Sequence, residues 1–374
     1  MVRDRGNGQA FIGSFTSSGG HGIIAAEVDD ETGALTVQGT TDVVADPSYL
    51  ALAPDGSVLY TVSETEEGAA AAFRIPAPGA PDQALLLMGR PVAVSGSSPT
   101  HLALASGHLL TANYGSGSVT ALPLRSDGGL DAPARVFRHQ GSGPHPDRQC
   151  GPHAHQVLTD PSGRWIVSVD LGTDSVRVCA LDAASGTLTA HSETALRAGS
   201  GPRHLAFHPA GSHAYVLNEL EPTLTICRWD ARQGVLEAVA ETPVLPADAG
   251  TDSYASEVVV SHDGRYVWTA NRGHDSISVL SLDGTREKAE LITTVGCGGR
   301  WPRDLALDPA GRRLYAANEH SGDVTWFDID PRTGIPAPAG AIEVPAASCV
   351  IFGRPAAPSS GIRAPEAVTE PYGA

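Results

Sequence analysis

An imidazole, a carboxylate and two guanidinium groups, His155, Glu219, Arg203 and Arg272, recur at matching places in this chain, beside short repeated hairpin motifs. Such a set can perform general acid–base chemistry on an anionic substrate. Arginine is always charged and presents a planar fork of donors, so Arg203 and Arg272 suit a carboxylate, a phosphate or a developing oxyanion. Either His155 or Glu219 can move the proton. Imidazole titrates nearest neutrality, whereas Glu219 acts as an ionised base or needs burial to raise its pKa. The competing reading is an ion-pair network, Arg203 with Glu219 and Arg272 with Glu257, that only ties elements together. Arg303 and Glu319 occupy the same two places in a later copy and rank second as substrate contacts, because they can pair with each other. Asn218, next to Glu219, joins them as a binding candidate.

The stretch GPHPDRQCGPHAH (143–155) leads into His155 and drapes His145, Arg148, Cys150 and His153 near it. A metal site is the first alternative: His153 and His155 are two apart, and Cys150 or Asp147 could complete a set. The segment has no zinc-type spacing and no second Cys or His pair, so no metal or other cofactor is expected. Cys150 lacks any motif of an activated nucleophile. The segment reads best as an anion-contacting loop in which Arg148 and His153 bind substrate and His155 does chemistry.

These residues need elements that bring them together, and an internal repeat supplies them. PSYLALAPDGSVLYTVSE (47–64), PTHLALASGHLLTANYG (99–115), AHQVLTDPSGRWIVSVDLG (154–172), PRHLAFHPAGSHAYVLNEL (202–220), SEVVVSHDGRYVWTANRG (256–273) and PRDLALDPAGRRLYAANEH (302–320) are six copies. Their strand-end positions, Ser63, Asn113, Asp170, Asn218, Asn271 and Asn318, recur about every fifty residues, a propeller-blade period. Each copy has an apolar run, a turn such as Asp308-Pro309-Ala310-Gly311, and a second apolar run, which together predict a hairpin. Third runs follow, for example DSVRVCAL (174–181) and DVTWFDI (323–329), and the remaining length holds a fourth, outer strand. Leu205, Ala206, Phe207, Tyr215 and Val216 are expected in the core.

The expected fold is therefore all-β, a seven-bladed β-propeller over 1–353. FIGSFTSSGGHGIIAAEVD (11–29) lacks an inner strand, and EVPAASCVIFG (343–353) is an inner strand without a hairpin, so pairing the two closes the ring. In a hairpin, the start of the first strand and the end of the second lie at one edge. Around the ring, Ser48, Thr100, His155, Arg203, Ser256, Arg303 and Ser348 form one set at that edge. Phe15, Glu64, Tyr114, Leu171, Glu219, Arg272 and Glu319 form the other, at the mouth of a central channel.

A formal charge of −17 argues against nucleic acid or an anionic membrane as partner, yet a few arginines in a shielded cleft can still bind a small anionic metabolite. The five scattered cysteines include no C-x-x-C pair, which points to a reducing compartment. With a charged, polar start and no long apolar stretch, a cytoplasmic location and a monomer or weak homodimer are expected. Residues 354–374 are rich in Pro and Ala and read as a C-terminal tail.

The segments GSGPHPDRQCGPHAH, SGPRHLAFHPAGSHAYVLNEL, TANRG and WPRDLALDPAGRRLYAANEHS together resemble the seven-bladed lactonase family. That family includes cycloisomerase-type 6-phosphogluconolactonases and the fungal carboxy-cis,cis-muconate lactonising enzyme. The resemblance runs from about Phe11 to Phe352 and implies a cofactor-free, metal-free active site. By motif, its His, two Arg and Glu fall on His155, Arg203, Arg272 and Glu219. It implies a lactone hydrolase acting on a sugar-acid lactone, of which 6-phosphogluconolactone is the family's best-attested substrate. A muconate-type lactonising cycloisomerase and a non-catalytic binding scaffold are the alternatives. The chain departs from many bacterial members at Cys150, where they carry an acidic residue.

Overall fold

The computed structural model describes residues 8–77, 84–132, 134–250 and 252–353. Among them, seven antiparallel sheets are arranged as a seven-bladed β-propeller. The Pro/Ala-rich segment 354–374 lies outside the described residues. Blade 1 runs Ala347–Phe352, Gly8–Ser14, Ile23–Val28, Leu35–Thr41, so its inner strand comes from the far end of the chain. Ala10 pairs with Phe352 and Gly13 with Cys349, the closure expected from the two incomplete segments. Blade 2 covers Leu50–Leu52 to Val92–Ala93, and its outer strand is two short pieces, Leu86–Leu87 and Val92–Ala93, on one partner. Blades 3 to 7 follow, beginning at Pro99, Ala154, Pro202, Tyr254 and Pro302.

The second strand of every complete repeat is buried throughout, including His213–Asn218 and Arg313–Asn318. This is what short apolar runs bounded by turn residues require. The expected turn is present: Gly311 has φ +67° and donates its N–H to Asp308 O at 2.9 Å. That conformation suits glycine because a Cβ would crowd the backbone. The core lies between blades rather than within them. Trp165, Val167, Val169, Val176 and Val178 of blade 4 pack on Leu205, Ala214, Val216, Cys227 and Trp229 of blade 5. Leu205, Tyr215 and Val216 are buried, whereas Ala206 and Phe207 are only partly covered and pack against the edges of these clusters.

Candidate active site

Two backbone devices, neither visible as periodicity, build the mouth. The first is a β-bulge. Pro202 pairs with Asn218 and His204 with Leu217, leaving Arg203 as the extra residue. The same skip falls on His155, Arg303, Thr100 and Ser348, and on Ser256 with Glu257. A bulge bends its strand and re-aims side chains. In six blades it acts at the inner-strand position singled out from the sequence.

The second device is a corner two residues before the bulge. Its carbonyl accepts the N–H of the residue just past the end of the neighbouring strand. Gly201 O accepts from Glu219 at 2.7 Å, His153 O from Leu171 at 3.0 Å, Ser98 O from Tyr114 at 3.0 Å and Trp301 O from Glu319 at 3.1 Å. Gly201 has φ +61°, and a Cβ there would lie 2.4 Å from Leu220 Cγ, so glycine is required. Bulge and corner thus fix Arg203 and Glu219 relative to each other.

The four principal candidates come together. Glu219 Oε2 lies 2.8 Å from Arg272 Nη2 and 3.3 Å from Arg203 Nε, and Glu219 Oε1 lies 2.6 Å from Arg148 Nη2. Three guanidinium groups from three chain segments therefore surround one carboxylate. Burial alone would raise the Glu219 pKa, but Arg272, Arg203 and Arg148 hold it at about 2. Burial pushes Arg203 down to about 9, helped by repulsion from Arg272 and opposed by Glu219. Arg203 Nε has no aligned hydrogen-bond acceptor, and Nη1 donates to Ser256 O. The anticipated Arg272–Glu257 pair does not form. Arg272 ends its strand facing Glu219, while Glu257 shares the blade 6 bulge and faces His204.

His155 is buried at the same rim, its ring 5.6 Å from that of Tyr114 and 5.0 Å from that of His204. Burial first, and then Arg203, His204, Arg303 and Arg272, drive its pKa well below the usual imidazole value. The ring is neutral at physiological pH, and its Nδ1 has no partner.

The loop before His155 is anchored from below. Gln149 Nε2 donates to Leu171 O and to Asp174 Oδ1, both at 2.8 Å, and His153 N donates to Asp170 Oδ1 at 2.9 Å. Asp170 also meets His139 Nδ1 at 2.5 Å and Arg177 Nη1 at 3.4 Å. This places Arg148 against Glu219 and 3.2 Å from Tyr114 Oη. His153 stacks on Tyr114 with centroids 4.4 Å apart, and its Nδ1 lies 2.8 Å from Tyr114 O. Cys150 is exposed, with Sγ 2.7 Å from Pro146 O. Among the described residues, no group of three or more His, Cys, Asp or Glu is arranged to hold a metal ion.

Arg303 and Glu319 belong to the same rim. Arg303 lies 3.5 Å from Glu319 and 3.2 Å from Glu64, with its guanidinium 4.8 Å from the Phe15 ring centroid. Asn218 has a different task from the ligand contact expected of it. It is fully buried and donates to Thr223 and Thr225 Oγ1, both at 2.9 Å, locking strands two and three. Asn113, Asn271 and Asn318 repeat this lock, which is why the residue type recurs.

A second tier, missed from the sequence, lies at or just past four of the bulges: His101, His204 and Asp304 each follow a bulge residue, and Glu257 belongs to one. His204 Nδ1 meets Glu257 Oε2 at 2.7 Å, and His101 packs on Tyr49 and on His204. Asp304 and Glu257 hydrogen-bond to each other. Burial and the nearby Glu257 raise Asp304 well above the ordinary carboxyl range, while burial, opposed by Arg203 and by the hydrogen bonds from Val258 and Asp304, raises Glu257 to about 7. Strict strand alternation places these residues on the opposite face from their neighbours, so only the bulge reveals them.

A family model described as "Lactonase, 7-bladed beta-propeller" matches residues 9–352. The chain is 33% identical over 346 residues to a 6-phosphogluconolactonase of Bacillus subtilis, covering 91% of this chain and 97% of that one. Among solved structures, the Pseudomonas aeruginosa periplasmic gluconolactonase superposes with a TM-score of 0.85 at 29% identity, covering 92% and 99% of the two chains. A Lactobacillus plantarum protein gives 0.86 at 28% identity, with coverage of 92% and 99%.

Proposed function

Because this chain belongs to the seven-bladed β-propeller lactonase family, we propose that its rim hydrolyses a phosphorylated sugar-acid lactone, 6-phosphogluconolactone, with His155 as the proton carrier. The observation that carries this reading is the single carboxylate of Glu219 held by Arg148, Arg203 and Arg272 beside a neutral imidazole. On a chain of net charge −17, such a concentration of buried and half-buried guanidinium groups gives a local field that attracts a small anion.

The proposed roles follow from the partners. Glu219 is a poor base, since three cations stabilise its ionised form, and it serves to hold the guanidinium groups in register. His155 is kept neutral by burial and by the surrounding positive charge, so it accepts a proton readily only in concert with bond formation. Water attacks the lactone carbonyl as His155 takes its proton. The carbonyl oxygen becomes an oxyanion near Arg203, whose Nε–H lacks an aligned acceptor. Collapse breaks the ring C–O bond, and the departing ring oxygen takes the proton from His155 to become a hydroxyl. The resulting acid releases its own proton to solvent. Arg148 is the most exposed of the three arginines and is placed to exchange Glu219 for the substrate phosphate.

Hydrolysis of 6-phosphogluconolactone and of the unphosphorylated lactone is measured above the spontaneous opening rate, because a lactone of this kind opens unaided. The wild type should exceed the background, and Arg203→Ala and Glu219→Ala should fall to it. Wild-type progress curves that coincide with buffer alone would overturn the proposed substrate.

A further inference from the structure

Five blades enter their inner strand through a left-handed corner: Asp46, Ser98, Gly201, Trp301 and Ala346, with φ of 46°, 47°, 61°, 63° and 53°. Four of these residues are small. For a bulky aromatic side chain this backbone region is a genuine outlier, because Cβ crowds the following carbonyl. The fold does not ask for an indole here. The bond made by the Trp301 carbonyl to Glu319 N–H is made equally well by Gly201, Ser98 and Ala346 in their blades. A strained conformation that the scaffold does not require points to the side chain as the reason for it.

The indole is half-buried and touches the catalytic rim. The Arg272 guanidinium carbon lies 5.5 Å from its ring centroid. The His320 ring stacks on it at 4.6 Å with an interplanar angle of 12°, and the Tyr254 ring lies at 6.3 Å. Arg272 already has polar partners: Glu219, Tyr254 O at 3.2 Å and Ala255 O at 3.3 Å. Hydrogen bonds from a guanidinium lie in its plane and leave its flat faces unsupported. An aromatic face attracts the cation and supplies the missing restraint.

We propose that Trp301 is a positioning residue that holds the flat face of Arg272, backed by His320, so that the guanidinium stays aligned on Glu219 and on the substrate anion. This rests on the reading of Arg272 as part of the active site. The chemical class served is an anionic lactone, and the indole acts on it through Arg272.

A double-mutant cycle tests the assignment. Trp301→Gly should fold with an unchanged or higher melting temperature, since glycine is at ease in the corner, and should lower kcat/KM about three- to thirty-fold. Trp301→Phe should retain most of the activity. In an Arg272→Ala background, Trp301→Gly should cost nothing further. Equal losses in both backgrounds, or no loss in either, would overturn the proposal. If Trp301→Gly fails to fold, Trp301→Ser, the residue type of the Ser98 corner, takes its place in the cycle. A crystal structure of the folded variant separates this inference from the lactonase reading. Arg272 turned away from Glu219 supports positioning whatever the substrate, and Arg272 unmoved refutes it. Wild-type activity retained by Arg272→Ala refutes the active-site reading instead.

Discussion

His204 Nδ1 lies 2.7 Å from Glu257 Oε2, joining the inner strands of blades 5 and 6 beneath the ion-paired rim. Glu257 also accepts from its neighbour Val258 N at 3.0 Å and shares a hydrogen bond with Asp304. Two carboxyl groups this close and this buried cannot both ionise readily, so a proton is held between them.

This arrangement sets a pH dependence of stability. Glu257 is raised from 4.5 to about 7 on folding, chiefly by burial. Between those values the unfolded chain loses a proton that the folded chain keeps, so the contribution of this group to stability falls as pH rises. Glu257→Gln removes the titration. The wild-type melting temperature, followed from pH 4.5 to 7, should decline more steeply than that of the variant. Parallel curves would argue against the shared proton.

Glu219 has the opposite sign. Its pKa is lowered from 4.5 to about 2, so it contributes stability that is present above pH 4.5 and lost as pH falls toward 2. Glu219→Gln leaves buried guanidinium groups uncompensated and should destabilise by about 3–5 kcal/mol near neutral pH. Denaturant titrations at several pH values should show the gap between the two proteins closing in acid. A constant gap would mean that the carboxylate is not held by its arginines in solution.

His155→Ala should lower kcat by about 10²- to 10⁴-fold while the protein stays folded. Because the imidazole pKa lies well below 6.5, the pH–rate profile of the wild type should remain flat through that value, with its acid limb lower. An inflection at 6.5 or above would assign the proton transfer to another group.

Arg148 is expected to read the phosphate. Losing a charge-assisted hydrogen bond of this kind costs about 1.5–3 kcal/mol. Arg148→Ala should therefore raise KM for the phosphorylated lactone by roughly ten- to a hundred-fold and leave the unphosphorylated lactone nearly unchanged. Equal effects on both substrates would place the phosphate elsewhere.

Gly201→Ala tests the corner that carries Glu219. The new Cβ meets Leu220 at 2.4 Å on a backbone of φ +61°, and Gly201 O holds the Glu219 N–H. A loss of more than about 1 kcal/mol is expected, together with a fall in kcat/KM. Full activity in a destabilised variant would show that the corner and the carboxylate are uncoupled.

Much of this was legible in the chain. The repeat of apolar run, turn and apolar run gives blades, and the incomplete segments at Phe11–Asp29 and Glu343–Gly353 give the closure. Counting from the turn places His155, Arg203, Glu219 and Arg272 at one edge, because hairpin geometry is local and each blade repeats it. Asn218, a binding candidate for its place beside Glu219, spends its side-chain N–H groups on Thr223 and Thr225. A residue type that recurs at a strand end recurs to lock neighbouring strands, and nothing in one sequence separates that from a ligand contact.

The chain by itself determined the ring and the shortlist of groups at its mouth, through periodicities that depend only on local backbone geometry. Which group faces which was decided by tertiary structure. Arg272 takes Glu219 rather than Glu257, Arg148 arrives from a loop anchored on Asp170 and Asp174, and His204, Glu257 and Asp304 form a buried second tier. The physical reason is the bulge: an extra residue in six of the seven inner strands breaks the two-residue alternation, and ion pairing between blades then depends on distances no spacing records.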